Sequence, residues 1–173
     1  MIQTCIYLDL DGPMSNVRSN LFPPEKGAMQ RFDPVASKAL SHLCKRFNAV
    51  VVFASVRSRN ASEDNKTHLF QLFEEAGFDT LYMHADWTAT YKGGEKAPQI
   101  RRHRLRNPEI KKWVLIEDDI EDVESLLLVD RYNGMTASDF LSLESFLESD
   151  RMHYHEPTMR KFLHASHNRH PRP

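Results

Sequence analysis

The sequence predicts a mostly parallel α/β sheet flanked by helices, in one domain. Short apolar runs rich in β-branched and aromatic residues recur along the 173 residues. Stretches with helical spacing separate them, and acids or hydroxyls stand just after several of the runs, where strands of such a sheet would end. With 40% hydrophobic and 27% charged residues, a chain of this length buries roughly 70% of its unfolded surface and needs no staples.

Residues 4–8 form the first predicted strand. Asp33-Pro34 signals a helix start, and Val35, Ala39, Leu40, Leu43 and Phe47 follow at helical intervals. The continuous apolar run 49–53 suits a strand buried on both faces. Ser62 opens a helix that carries Leu69, Phe70, Leu72, Phe73 and Ala76 and stops at Gly77. Residues 80–83 read as the third strand, 98–106 as a basic helix, 113–116 as the fourth strand and 126–129 as a short fifth. Thr136 or Ser138 caps the last amphipathic helix, which runs to Leu147. The division expected is a catalytic domain over 1–149 and a flexible His/Arg/Pro-rich tail over 150–173.

Cys5 and Cys44 both fall in apolar segments, as packed thiols of a reduced, cytoplasmic protein do. The N-terminus lacks a basic n-region, and the longest strongly apolar run, 49–54, is far too short to cross a bilayer, so no membrane partner is expected. The net charge of −1 makes no global case for nucleic acid.

Ligands of open α/β sheets bind beyond the carboxyl ends of the strands, so what each strand delivers there matters. The first delivers Asp9 and Asp11 in Asp9-Leu10-Asp11-Gly12. Alternation sends both carboxylates to one side, where they repel unless a cation or proton intervenes. The second strand delivers Ser55 and Arg57; the fourth delivers Glu117, Asp118, Asp119 and, a turn later, Asp122. Lys96 stands at the mouth of the basic helix behind Gly93-Gly94. Acid, hydroxyl, cation and acid in that order make a phosphate-and-metal site.

That order resembles the haloacid dehalogenase-like (HAD) superfamily of phosphohydrolases. The resemblance implies a Rossmann-like, HAD-like fold, with Asp9 as nucleophile and Asp11 as general acid and base. It implies phosphate binding by Ser55 and Lys96, with Arg57 as a further candidate, and Mg²⁺ held through Asp9, Asp11 (by its carbonyl), Asp118 and Asp119. Which of Glu117, Asp119 and Asp122 assists Asp118 stays open. The segments 12–33 and 55–62 leave no room for a large cap domain. Asp86-Trp87-Thr88, Gly93-Gly94-Glu95-Lys96, Leu115-Ile116-Glu117-Asp118-Asp119 and Val129-Asp130 with Asn133-Gly134-Met135-Thr136 narrow the likeness to the HAD group associated with Swiss Army Knife RNA repair. Pro13, Val56 and Lys96 depart from that group, which carries Thr or Val, Trp and Arg there; Lys keeps the charge but loses the bidentate fork. The implied function is a Mg²⁺-dependent phosphatase acting through an aspartyl-phosphate on a nucleotide or nucleic-acid end. The alternative is a catalytically weak module of the same fold that binds nucleic acid or a protein.

Arg101, Arg102, His103, Arg104 and Arg106, extended by Lys111 and Lys112, suit a solvated helix face or a nucleic-acid track equally well. Trp87 and Tyr91 suit packing better than base stacking. The histidines of the tail lack the spacing of a metal site.

Overall fold

The computed structural model describes residues 3–20, 31–89 and 95–150. Five strands form one all-parallel sheet in the order β3-β2-β1-β4-β5: β1 (Gln3–Leu8), β2 (Ala49–Phe53), β3 (Met83–Thr88), β4 (Ile110–Glu117) and β5 (Leu126–Leu128). The helices are a single turn α1 (Val17–Asn20), then α2 (Pro34–Phe47), α3 (Glu63–Glu75), α4 (Lys96–Arg106) and α5 (Ala137–Glu148). The expected Rossmann-like, HAD-like fold is thereby observed.

Alternation along the central strand divides the core. Ile6 and Leu8 point to one face and pack with Leu40, Leu69, Phe73 and Leu143 from α2, α3 and α5. Cys5 and Tyr7 point to the other, where Ile100 of α4 and Trp113 of β4 cover them. Burying such a side chain stabilises the fold by about 1.5–3 kcal/mol. Tyr7 stands edge-on to Trp113, ring centroids 5.8 Å apart. Its hydroxyl donates to Nδ1 of the buried His103 (2.9 Å), whose Nε2 donates to the Asp86 carbonyl (2.8 Å). Burial is what holds the His103 imidazole below its ordinary pKa of 6.5.

Helix ends follow the sequence signals. The Asp33 side chain accepts from the N–H groups of Val35 and Ala36, with Pro34 opening α2. Ser62 caps α3, and Thr136, rather than Ser138, caps α5 in a capping box with Asp139.

The third strand corrects the sequence reading. Residues 80–82 form a 3-10 turn capped by Asp79, and pairing begins only at Met83 and runs to Thr88. β3 is an edge strand, so His84 and Asp86 sit within it, supported by side chains of α4 and the following loop rather than by apolar burial. The basic run is divided: Arg101, Arg102 and Lys111 are exposed, and the others engage the fold. His103 is buried, Arg106 pairs with Asp86 at 2.9 Å, and Arg104 lies over the Trp113 ring. Lys112 donates to the Leu147 and Ser149 carbonyls at the end of α5. Trp87 is core, against Phe53 and Phe70. Tyr91 and Gly93-Gly94 lie outside the described residues, as does the expected tail beyond Asp150.

Candidate active site

Strand order reverses between β1 and β4, which leaves a crevice at their carboxyl ends. Asp9 follows the last β1 residue and donates its N–H to the Ile116 carbonyl (3.0 Å), so Asp9 and Glu117 end neighbouring strands at one level. Ser55 enters from β2 and Lys96 from the first turn of α4. The resulting cleft, about 370 Å³, is lined by Asp9, Asp11, Ser15, Lys96, Glu117, Asp118, Asp119 and Arg131 among others. A larger, mostly apolar cavity of about 490 Å³ lies elsewhere, against Phe32, Leu72 and Ala76, and brings no comparable set of charges together.

Lys96 stands between two buried acids, 3.1 Å from Asp9 Oδ1 and in contact with Glu117 Oε2. Asp9 is 5% exposed and Glu117 1%. Burial raises the Asp9 carboxyl pKa, and Lys96 and the Ser55 hydroxyl oppose the rise. Glu117 is pushed up to about 8, first by burial and then by the Asp9 charge, against the pull of Lys96. Burial pulls the Lys96 ammonium down, yet the two acids outweigh it and its pKa is raised.

Asp11 does not join this pair. Its carboxylate turns outward to Arg57, 2.8 Å away, so the two aspartates of the turn face different cations. Arg57 also reaches the Ser15 hydroxyl (3.5 Å), placing the β2 cation against the β1 turn. Glu117 organises the acidic turn after β4: its Oε1 accepts the N–H groups of Asp118 (3.1 Å) and Asp119 (3.3 Å).

One oxygen from each of Asp9, Glu117 and Asp118 lies within 4.8 Å of the others. Of the candidates to assist Asp118, Glu117 is the one that gathers with Asp9 and Asp118, while the Asp119 carboxylate is exposed and paired with Arg131 at 2.9 Å. Asp122 is not a cleft residue. Arg131, which sequence reasoning passed over, also holds Asp118 at 2.5 Å. No local signal marks it. It arrives because the loop Asp130–Gly134 packs on the loop after β1: Met135 N–H donates to the Pro13 carbonyl (3.4 Å) and Val17 N–H to the Tyr132 carbonyl (2.9 Å). Gly12 lets Asp118 approach; its φ is +90° and a Cβ there would sit 2.5 Å from Asp118 Cγ.

No curated protein matches the chain. Residues 5–140 match the family described as the HAD domain in Swiss Army Knife RNA repair proteins, a span that takes in most of β1, the other four strands and the whole cleft. The chain belongs to that HAD family, whose membership implies chemistry of the phosphohydrolase type.

Proposed function

We propose that the cleft hydrolyses phosphate monoesters in a Mg²⁺-dependent reaction through an aspartyl-phosphate on Asp9, with a nucleotide or nucleic-acid terminal phosphate as substrate. The observation that carries the proposal is Asp9 itself, buried beside Lys96 and the Ser55 hydroxyl with two further acids in reach. Nucleic-acid substrates accord with the family's RNA-repair description.

HAD proteins generally use Mg²⁺, and the donor set suits it. Asp9, Glu117 and Asp118 offer hard oxygens close together, with Asp11 (through its carbonyl) and Asp119 as the further candidates. Bound there, the ion would neutralise carboxylate charge and polarise the phosphoryl group. The chain's own groups account for the rest. An Asp9 oxygen attacks phosphorus as the bond to the leaving oxygen breaks. Lys96 and the Ser55 hydroxyl stabilise the equatorial oxygens, and Arg57 supports the phosphate while orienting Asp11. Asp11 gives its proton to the leaving oxygen. It then takes one from the water that attacks the phosphoaspartate, which frees Asp9 and inorganic phosphate. We assign this activity to residues 1–149 as the catalytic unit and to the cytoplasm, in keeping with the buried free thiols of Cys5 and Cys44. Among the described residues no helix is long and apolar enough to cross a membrane.

The test is phosphate release with Mg²⁺ from mononucleotides, sugar phosphates and 3′- or 5′-phosphorylated oligonucleotides. Asp9→Asn should abolish release, and Asp11→Asn should slow it about 10²–10⁴-fold. Release by Asp9→Asn at the wild-type rate rejects the mechanism. A second reading, a catalytically weak module that binds nucleic acid or a protein, draws on Arg57 and Arg131 already engaging Asp11 and Asp118. Intact binding without turnover on any of these substrates would select it.

A further inference from the structure

The floor of the cleft is charged, whereas its edge carries exposed apolar groups beside the exposed charges of Asp11, Asp119 and Arg131. Val56 lines the cleft and is about half exposed, while Val17, Ile120 and Tyr132 are exposed on segments that adjoin it. Exposed apolar groups on the segments beside a polar cleft offer contacts to the part of a ligand that the charged floor does not hold.

Tyr132 stands out among them. It is 68% exposed and follows Arg131, which lines the cleft. Its loop is pinned. Asp130 Oδ1 accepts the N–H groups of Tyr132 (3.0 Å) and Asn133 (2.8 Å), and the Asp130 carbonyl accepts from Gly134 (2.8 Å). The Tyr132 carbonyl accepts from Val17 N–H at 2.9 Å, tying the loop to the turn after β1. An aromatic ring on a pinned loop loses little entropy when a flat group settles on it.

A ligand that satisfies floor and rim together carries a phosphate joined to a planar, largely apolar group. We propose that Tyr132 is a specificity-determining residue whose ring stacks on the nucleobase of the nucleotide whose phosphate enters the cleft. The inference rests on the phosphate-binding reading of the floor, and it deepens that reading by naming the residue that distinguishes a nucleotide from a plain phosphate ester. Stacking of this kind tolerates any base, so the prediction is preference for a base without preference for its identity.

The experiment measures binding, in Mg²⁺, of a terminally phosphorylated oligonucleotide with 2-aminopurine as its terminal base. The protein is the full chain carrying Asp9→Asn, so that the phosphate stays on. A second oligonucleotide has an abasic sugar in place of that base. With Tyr132 present, binding should quench the 2-aminopurine emission, and Tyr132→Phe should keep both quenching and affinity. Tyr132→Leu should abolish quenching and weaken binding about 5- to 150-fold, yet bind the abasic strand as Tyr132 does. Unchanged quenching in Tyr132→Leu would overturn the proposal. So would equal losses on the two strands, or a Phe variant as impaired as the Leu variant. Phosphate release by the wild type is scored separately: its absence would reject the phosphatase reading while leaving Tyr132-dependent quenching to decide this one.

Discussion

Replacing Gly12 by Ala tests whether Asp118 must sit where it does. At φ +90° an L-residue is strained, by about 1–3 kcal/mol. The added Cβ would also lie 2.5 Å from Asp118 Cγ and 2.7 Å from its Oδ2, where ordinary contact begins at 3.4 Å. Asp118 must therefore withdraw by roughly 0.9 Å, against Arg131 at 2.5 Å and the grip of Glu117 on its N–H. Overpacking of this kind adds about 1–3 kcal/mol, for about 2–6 kcal/mol in all. Gly77 provides the control. Its φ is +94°, so the backbone penalty is alike, but the atoms nearest its Cβ would be the stem of the exposed Lys38, which can swing away. Urea denaturation should show Gly12→Ala as the more destabilised of the two. Calorimetric titration should show Mg²⁺ affinity lowered at least about tenfold in Gly12→Ala and unchanged in Gly77→Ala. Equal Mg²⁺ affinity in the two variants would refute the assignment of Asp118 to the metal set.

Lys96→Met leaves Asp9 and Glu117 buried without their shared cation, which should cost about 3–5 kcal/mol by urea denaturation and end phosphate release; a loss under about 1 kcal/mol would contradict the buried pairing. Arg131→Gln frees Asp118 from an exposed ion pair, and because such pairs are worth at most about 1 kcal/mol, Mg²⁺ should bind up to about fivefold tighter by calorimetry; weaker binding would speak against competition for that carboxylate. The buried, neutral His103 sets an acid sensitivity. Because burial lowers its pKa, the unfolded chain takes up the proton first, so its contribution to stability is full above the ordinary value of 6.5 and is lost as pH falls below it. Glu117, with its raised pKa, gives the opposite slope, so the quantity to read is the wild-type urea midpoint minus that of His103→Gln at pH 8 and 5.5. No change in that difference would exclude His103 as the source.

The sequence showed most clearly what burial alone determines. β1, β2 and β4 are apolar because both their faces are covered, and the caps at Asp33, Ser62 and Thr136 have local causes. β3 was less legible since an edge strand can carry His84 and Asp86, whose partners in and after α4 lie far along the chain. The acids after Ile116 could be recognised as a cluster, but not sorted. Glu117 enters the cleft because pairing with β5 persists to Leu128, a property of register rather than of residue type. Arg131 reaches Asp118 only through loop-on-loop contacts, and nothing within its own neighbourhood announces them.

The clasp between the loop after β1 and the loop after β5 also bears on the order of events during synthesis. Asp9 is made before the groups that surround it: Lys96, Glu117 and the Pro13–Met135 contact come more than eighty residues later. A nascent chain that ends before Lys96 therefore carries Asp9 without its counter-charge, and one that ends before Met135 cannot complete the clasp beside it. Stalled chains ending before and after Met135 should differ sharply in protease resistance of the segment around Asp9. In this protein the earliest-made part of the cleft is completed by the latest.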